Sequence, residues 1–207
     1  MKSDAVAFGI AGVLFGLIAG WIIGSQQAVV RPPAAAAPVA QQAPGGGGSA
    51  TRAAVLDETQ VNALKTVAER EATNATPRTQ LGNLYFDAER YDEAIKWYGD
   101  ALKLSPKDVN VSTDLGVSYY YSNQPDKALA QFDQSLTLDP KHAKTLLNVG
   151  IVKAFGKQDL DGASVAWKQV IAIAPDGPEG QAAKRALDSL TSAHSGLATG
   201  AAKKPGV

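Results

Sequence analysis

The chain has 207 residues, 45% of them hydrophobic, and its 20 Lys and Arg balance 20 Asp and Glu. That length suits one modest domain with extensions, and the zero net charge argues against nucleic acid or a strongly charged surface as partner. Cysteine is absent, which removes disulfides, thiol catalysis, cysteine metal sites and an acylated cysteine as an anchor.

The first predicted element is a membrane anchor within residues 1–24. Ala5 to Gly24 reads AVAFGIAGVLFGLIAGWIIG without one charge, enough helix to cross a hydrocarbon core of about 30 Å. A cleaved leader has a shorter apolar run of about 7–15 residues. Gly12, Gly16, Gly20 and Gly24 recur every four residues and so line one helix face, a small-residue ridge that lets two membrane helices approach closely. This predicts transmembrane packing and a possible homo-oligomer. Lys2 precedes the span and Arg31 is the first basic residue after it, so the charge bias favours a cytoplasmic amino terminus and an exported body. In a bacterium that places a single-pass protein in the inner membrane with its body in the periplasm.

Residues 25–55 are rich in Ala, Pro, Gln and Gly and lack apolar periodicity, which predicts a flexible linker, extended where proline dominates and loose at Gly45 to Gly48. Residues 56–191 form the folded domain. Its first helix, Asp57 to Ala72, places Val61, Leu64, Val67 and Ala68 on one face.

Two gapless repeats follow. LGNLYFDAERYDEAIKWYGDALKLSP, Leu81 to Pro106, aligns with LGVSYYYSNQPDKALAQFDQSLTLDP, Leu115 to Pro140, at an offset of 34, and VGIVKAFGKQDLDGASVAWKQVIAIAP, Val149 to Pro175, follows with one extra residue. Gly82, Gly116 and Gly150 fall mid-way along each first helix, facing Ala94, Ala128 and Ala163. Tyr85, Tyr119, Tyr98, Phe132 and Trp167 fill the space around these small contacts. Pro106, Pro140 and Pro175 stop the second helices. A last helix, Pro178 to Leu190, carries Lys184, Arg185 and Asp188 and suits a solvating cap. Residues 192–207 are expected to be a disordered tail.

The period of 34 and the pattern of Gly, Tyr, Ala, Phe and Pro resemble the tetratricopeptide repeat. Arg78 and Ser112 stand where that pattern has tryptophan, and Lys153 where it has tyrosine. The resemblance implies an all-α fold, a right-handed superhelix or α-solenoid of three helical hairpins at about 75–108, 109–142 and 143–177, with flanking helices. The longer GKQDLDG turn implies less regular packing of the third.

In such a family the first helices make a concave wall where an extended peptide of a partner protein lies. The candidates here are Asn83, Phe86, Asp87, Thr113, Val117, Tyr120, Tyr121, Lys144, Leu147, Ile151 and Phe155. Consecutive helical residues point about 100° apart, so Tyr119, Tyr120 and Tyr121 cannot share one core. Tyr119 is expected to be buried and its two neighbours to lean over the groove. Members that grip a terminal carboxylate use lysines, an arginine and asparagines. The corresponding places hold Thr79, Asn83, Asp114, Lys144 and Asn148, of which Asn83 and Lys144 fit while Asp114 would repel a carboxylate. An apolar or mixed peptide is therefore expected.

No catalytic constellation is present in the sequence. His142 and His194, the two histidines, lack ligand spacing, and Asp159 in QDLDG reads as a helix cap rather than a calcium ligand. No metal, cofactor or enzymatic activity is expected. The resemblance points to a membrane-tethered adaptor in envelope protein assembly, export or cytochrome c maturation. The alternative is a structural oligomer built through the glycine ridge.

Overall fold

The structure, a computed structural model, describes residues 55–201, with side chains to residue 192. The apolar stretch 5–24, its four ridge glycines, nearly all of the linker and Lys203 and Lys204 lie outside the described residues. Among the described residues no helix is long and apolar enough to cross a membrane.

These residues build eight helices and no strand: α1 (Glu58–Arg70), α2 (Thr76–Asp87), α3 (Tyr91–Leu104), α4 (Val109–Tyr121), α5 (Pro125–Leu138), α6 (Ala143–Ile151), α7 (Leu160–Ile173) and α8 (Pro178–Ala201). Helices α2 with α3, α4 with α5, and α6 with α7 pack as antiparallel hairpins, while α1 lies against α2 and α8 covers α7 and α6. Starts follow local chemistry. The Asp57 carboxylate accepts from the amides of Thr59 and Gln60, Asp108 from Val111, and Asp159 from Gly162, each satisfying amides that a helix start leaves unpaired. Pro125 opens α5 at a position where its missing donor costs nothing. Pro106, Pro140 and Pro175 fall two residues beyond α3, α5 and α7.

Each hairpin closes by direct contact of its two helices. A Cβ built on Gly82 would stand 2.5 Å from the Tyr98 ring, and those on Gly116 and Gly150 would collide with the rings of Phe132 and Trp167. The glycines therefore face the flat rings rather than the alanines. Ala94, Ala128 and Ala163 are themselves fully buried. The Trp167 indole N–H donates to the Leu147 carbonyl at 3.2 Å, closing the third hairpin.

The extra residue of the third repeat does not lengthen its turn. All three turns have three residues, 88–90, 122–124 and 157–159, and the middle one is left-handed in each: Glu89, Asn123 and Gln158 share φ 58°. The added residue is absorbed one turn earlier, where Val152–Gly156 winds as a π-helical turn that continues α6. A single insertion widens a helix locally when the packing on both sides is fixed. Here Gly150 is pinned to Trp167 before it, and the Lys153 carbonyl takes the Asp159 amide at 2.8 Å after it.

At the carboxyl end the helix outruns the sequence expectation. α8 continues to Ala201 rather than ending near Leu190. No proline interrupts it before Pro205, and the Thr191 and Ser192 hydroxyls fold back onto the carbonyls of Leu187 and Asp188.

Candidate functional site: the wall of first helices

The wall is made by α2, α4 and α6, and it is more tightly closed than side-chain spacing implies. Thr113 and Leu147 are fully buried, and Val117, Ile151 and Phe86 are buried as well. These five predicted groove residues offer little side-chain surface to a partner, because α4 packs on α3 as well as on α6. Thr113 Oγ1 on α4 lies 2.6 Å from Thr145 Oγ1 on α6. Asn83, Tyr120, Tyr121, Lys144 and Phe155 are partly accessible, and Asp87 is exposed.

The threonine pair belongs to a relay with a fixed direction. Thr113 donates its single hydroxyl proton to the Val109 carbonyl, 2.7 Å away. Thr145 must then donate to Thr113, and His142 Nδ1, 2.7 Å from Thr145 Oγ1, must carry the proton it donates. Burial lowers the imidazole's proton affinity, with Asp139 opposing and Lys144 reinforcing that effect. His142 therefore helps to join the second and third hairpins through the threonine pair.

At the centre of the wall the Lys144 ammonium meets the Asp114 carboxylate at 2.7 Å, both largely shielded. Burial pushes the Asp114 carboxyl up, and Lys144 only partly offsets it. Next to them the buried Tyr98 hydroxyl donates to Asn83 Oδ1 at 2.7 Å. Burial, then the charges of Asp114 and Asp87, raise that phenol's proton affinity. Asn148 is buried and donates to the Lys144 carbonyl. Lys144 is thus neutralised from within by Asp114, while Asn83 is taken up by Tyr98 and Asn148 by the Lys144 backbone.

The tyrosine run behaves differently from expectation. Tyr119, predicted to be the buried one, is only half-buried, with Lys127 Nζ 5.7 Å above its ring. Tyr121 stacks on Tyr91 at 5.2 Å and 25°, and meets Phe86 edge-on at 5.6 Å. Tyr120 touches Tyr121 edge-on at 5.5 Å and would crowd any Cβ at Gly156. Phe86, Tyr91, Tyr121 and Tyr120 therefore form an aromatic ladder joining the first hairpin to the third. Tyr91 is the rung that spacing within the first helices does not reveal, since it opens a second helix. Burial raises the proton affinity of Tyr91, Tyr120 and Tyr121, so all three stay neutral donors.

Two departures from the repeat pattern acquire roles. Arg78 reaches back to α1, donating to the carbonyls of Ala68 at 3.0 Å, Asn74 at 2.7 Å and Glu71 at 3.4 Å, and so satisfies acceptors that a helix end leaves bare. Ser112 is held by Gln131 and the buried Ser135, each at 2.7 Å. A polar knot fills the place of an aromatic side chain.

A family profile described as TPR repeat matches residues 82–122, and one described as tetratricopeptide repeat matches 111–142. No curated protein sequence matches the chain. Among solved structures, the Sgt2 TPR domain from Aspergillus fumigatus is similar at 25% identity and TM-score 0.55, covering 64% of this chain and 86% of that one. The first TPR of Spaghetti (RPAP3), bound to the HSP90 peptide SRMEEVD, is 23% identical with TM-score 0.51, covering 60% and 94%. The MamA protein is 17% identical with TM-score 0.53, covering 71% and 86%. The third hairpin, with its π-helical turn, lies beyond the matched residues. Residues 82–142 thus match tetratricopeptide-repeat profiles, and the described helices form a TPR-like solenoid.

Proposed function

We propose that the chain is a membrane-anchored adaptor whose wall of first helices binds a peptide segment of a partner protein. The observation that carries this reading is the conjunction of tetratricopeptide repeats with a partly accessible aromatic strip, Tyr120, Tyr121 and Phe155, along that wall. A solved relative of this fold holds a partner's peptide. The neutralised Lys144–Asp114 pair disfavours a bare terminal carboxylate and favours a mixed segment recognised through aromatic contact.

The anchor rests on the uncharged stretch from Ala5 to Gly24, and the linker lets the domain search the space beside a bilayer. Tethering raises the local concentration of a partner held at the same surface, so a weak site suffices. The charge bias around the span supports a periplasmic body on a bacterial inner membrane, and with it a role in envelope protein assembly, export or cytochrome c maturation. The glycine ridge supports a second reading, a structural oligomer in which the membrane helix does the work.

Photocrosslinking from a residue placed at Tyr120, compared with one at Val165, which is 58% exposed on α7, tests the groove. Partner adducts at Tyr120 and none at Val165 are expected. Equal yields at both positions would remove the groove from the function and leave the oligomer.

A further inference from the structure

The aromatic ladder has a charged border. Asp87 and Glu89, on either side of the α2 end, are exposed, and neither belongs to any ion pair of the described residues. Arg90, the next residue in the chain, is engaged with Glu93 and Glu58, and Lys144, Lys157 and Lys153 pair with Asp114, Asp126 and Asp159. Glu89 sits in the middle of the turn, two residues before Tyr91, and its charge adds to burial in raising the proton affinity of the Tyr91 and Tyr121 hydroxyls. Asp87, exposed overall, is shielded on one side by its surroundings, which pushes its carboxyl up. Uncompensated negative charge thus adjoins a stack of partly accessible, electron-rich rings. Cations bind over such rings, more strongly where water is partly excluded. The fold uses the same chemistry internally, placing Arg90 4.9 Å and Lys65 5.9 Å from the Tyr85 ring centre.

We infer that the partner segment presents a lysine or arginine side chain, which lies along the Tyr91–Tyr121 stack and is held by the carboxylates of Asp87 and Glu89. The inference rests on the peptide-binding reading and adds the chemistry of the occupant. An acidic segment would meet two carboxylates that no cation screens. An aliphatic one would leave both carboxylates without a counter-charge, which a basic side chain supplies.

The test uses the full chain in detergent micelles. A random peptide library is panned against it, and enriched peptides are measured by fluorescence anisotropy on the wild type and on Asp87→Asn/Glu89→Gln. Both positions are exposed, so the double variant should melt with the wild type. Enriched peptides should share a lysine or arginine, bind the double variant about tenfold more weakly, and weaken with added salt. Enriched peptides without a basic residue, or basic ones that bind both proteins equally, would overturn the inference and leave peptide binding standing. No enrichment at all would overturn both. A concentration-dependent dimer abolished in the double variant would assign the shelf to a second copy of the chain and likewise overturn the inference.

Discussion

Gly116 shows how much a single residue settles. Its missing side chain is where the Phe132 ring lies, so a methyl group there must push the ring or part the two helices. Overpacking of this kind costs about 1–3 kcal/mol. Gly116→Ala should lower the urea midpoint accordingly, whereas Gly99→Ala, with open space around its Cβ position inside α3, should raise it slightly through helix propensity. The other residues of note act through bonds that spacing does not display. Arg78 ties α1 to α2 by three carbonyls, and nothing in the nine residues between Ala68 and Arg78 announces which acceptors it will find. The burial of the small polar residues is equally silent in the sequence. Thr113, Thr145, Ser112 and Ser135 are buried because each finds a partner, and partner identity is set across distances of 23 and 32 residues.

Among the elements, the turns between paired helices carry a repeated strain. Glu89, Asn123 and Gln158 adopt φ 58°, a conformation that costs most L-residues about 1–2 kcal/mol, less for asparagine. Glycine avoids that cost but adds unfolded-state freedom of about 0.5–1 kcal/mol. Gln158→Gly and Glu89→Gly should therefore each raise the melting temperature modestly, and Asn123→Gly should leave it nearly unchanged. Differential scanning calorimetry reads the order directly. An order with Asn123→Gly gaining most would mean that the side chains at 89 and 158 make contacts worth more than the strain. The π-helical turn of Val152–Gly156 has a different origin. Counting residues reveals an insertion in the third repeat, but whether it enters the turn or the helix depends on which segment is held at both ends.

On the scale of the whole molecule, stability accumulates from neighbour to neighbour, as in other stacked repeats. α8 seals the open end of the stack by burying Ala182, Ala183 and Ala186 against α7 and α6. A chain ending at Pro175 would uncover the apolar surfaces of α7. It should unfold at lower denaturant and with a smaller m-value, in proportion to the surface no longer buried. An unchanged midpoint would show that α8 is an appendage rather than a cap. The wall responds to the same crowding. Because α4 packs against α3 and α6 as well as α5, five of the eleven residues expected to line a groove are instead interior, and the accessible aromatic surface collects at the end of the ladder.

The sequence by itself determined the repeat, the pairing of helices within each hairpin, and the positions of caps and stops. All of these depend on neighbours at a fixed short spacing, so a glycine, a ring and a proline recurring at 34 residues suffice. Only the tertiary structure decided which of the three tyrosines pack, that Lys144 answers to Asp114, and that five wall residues are buried. Those outcomes depend on how closely one hairpin settles on the next, a distance that is set by the fit of whole surfaces and is written in no local stretch of the chain.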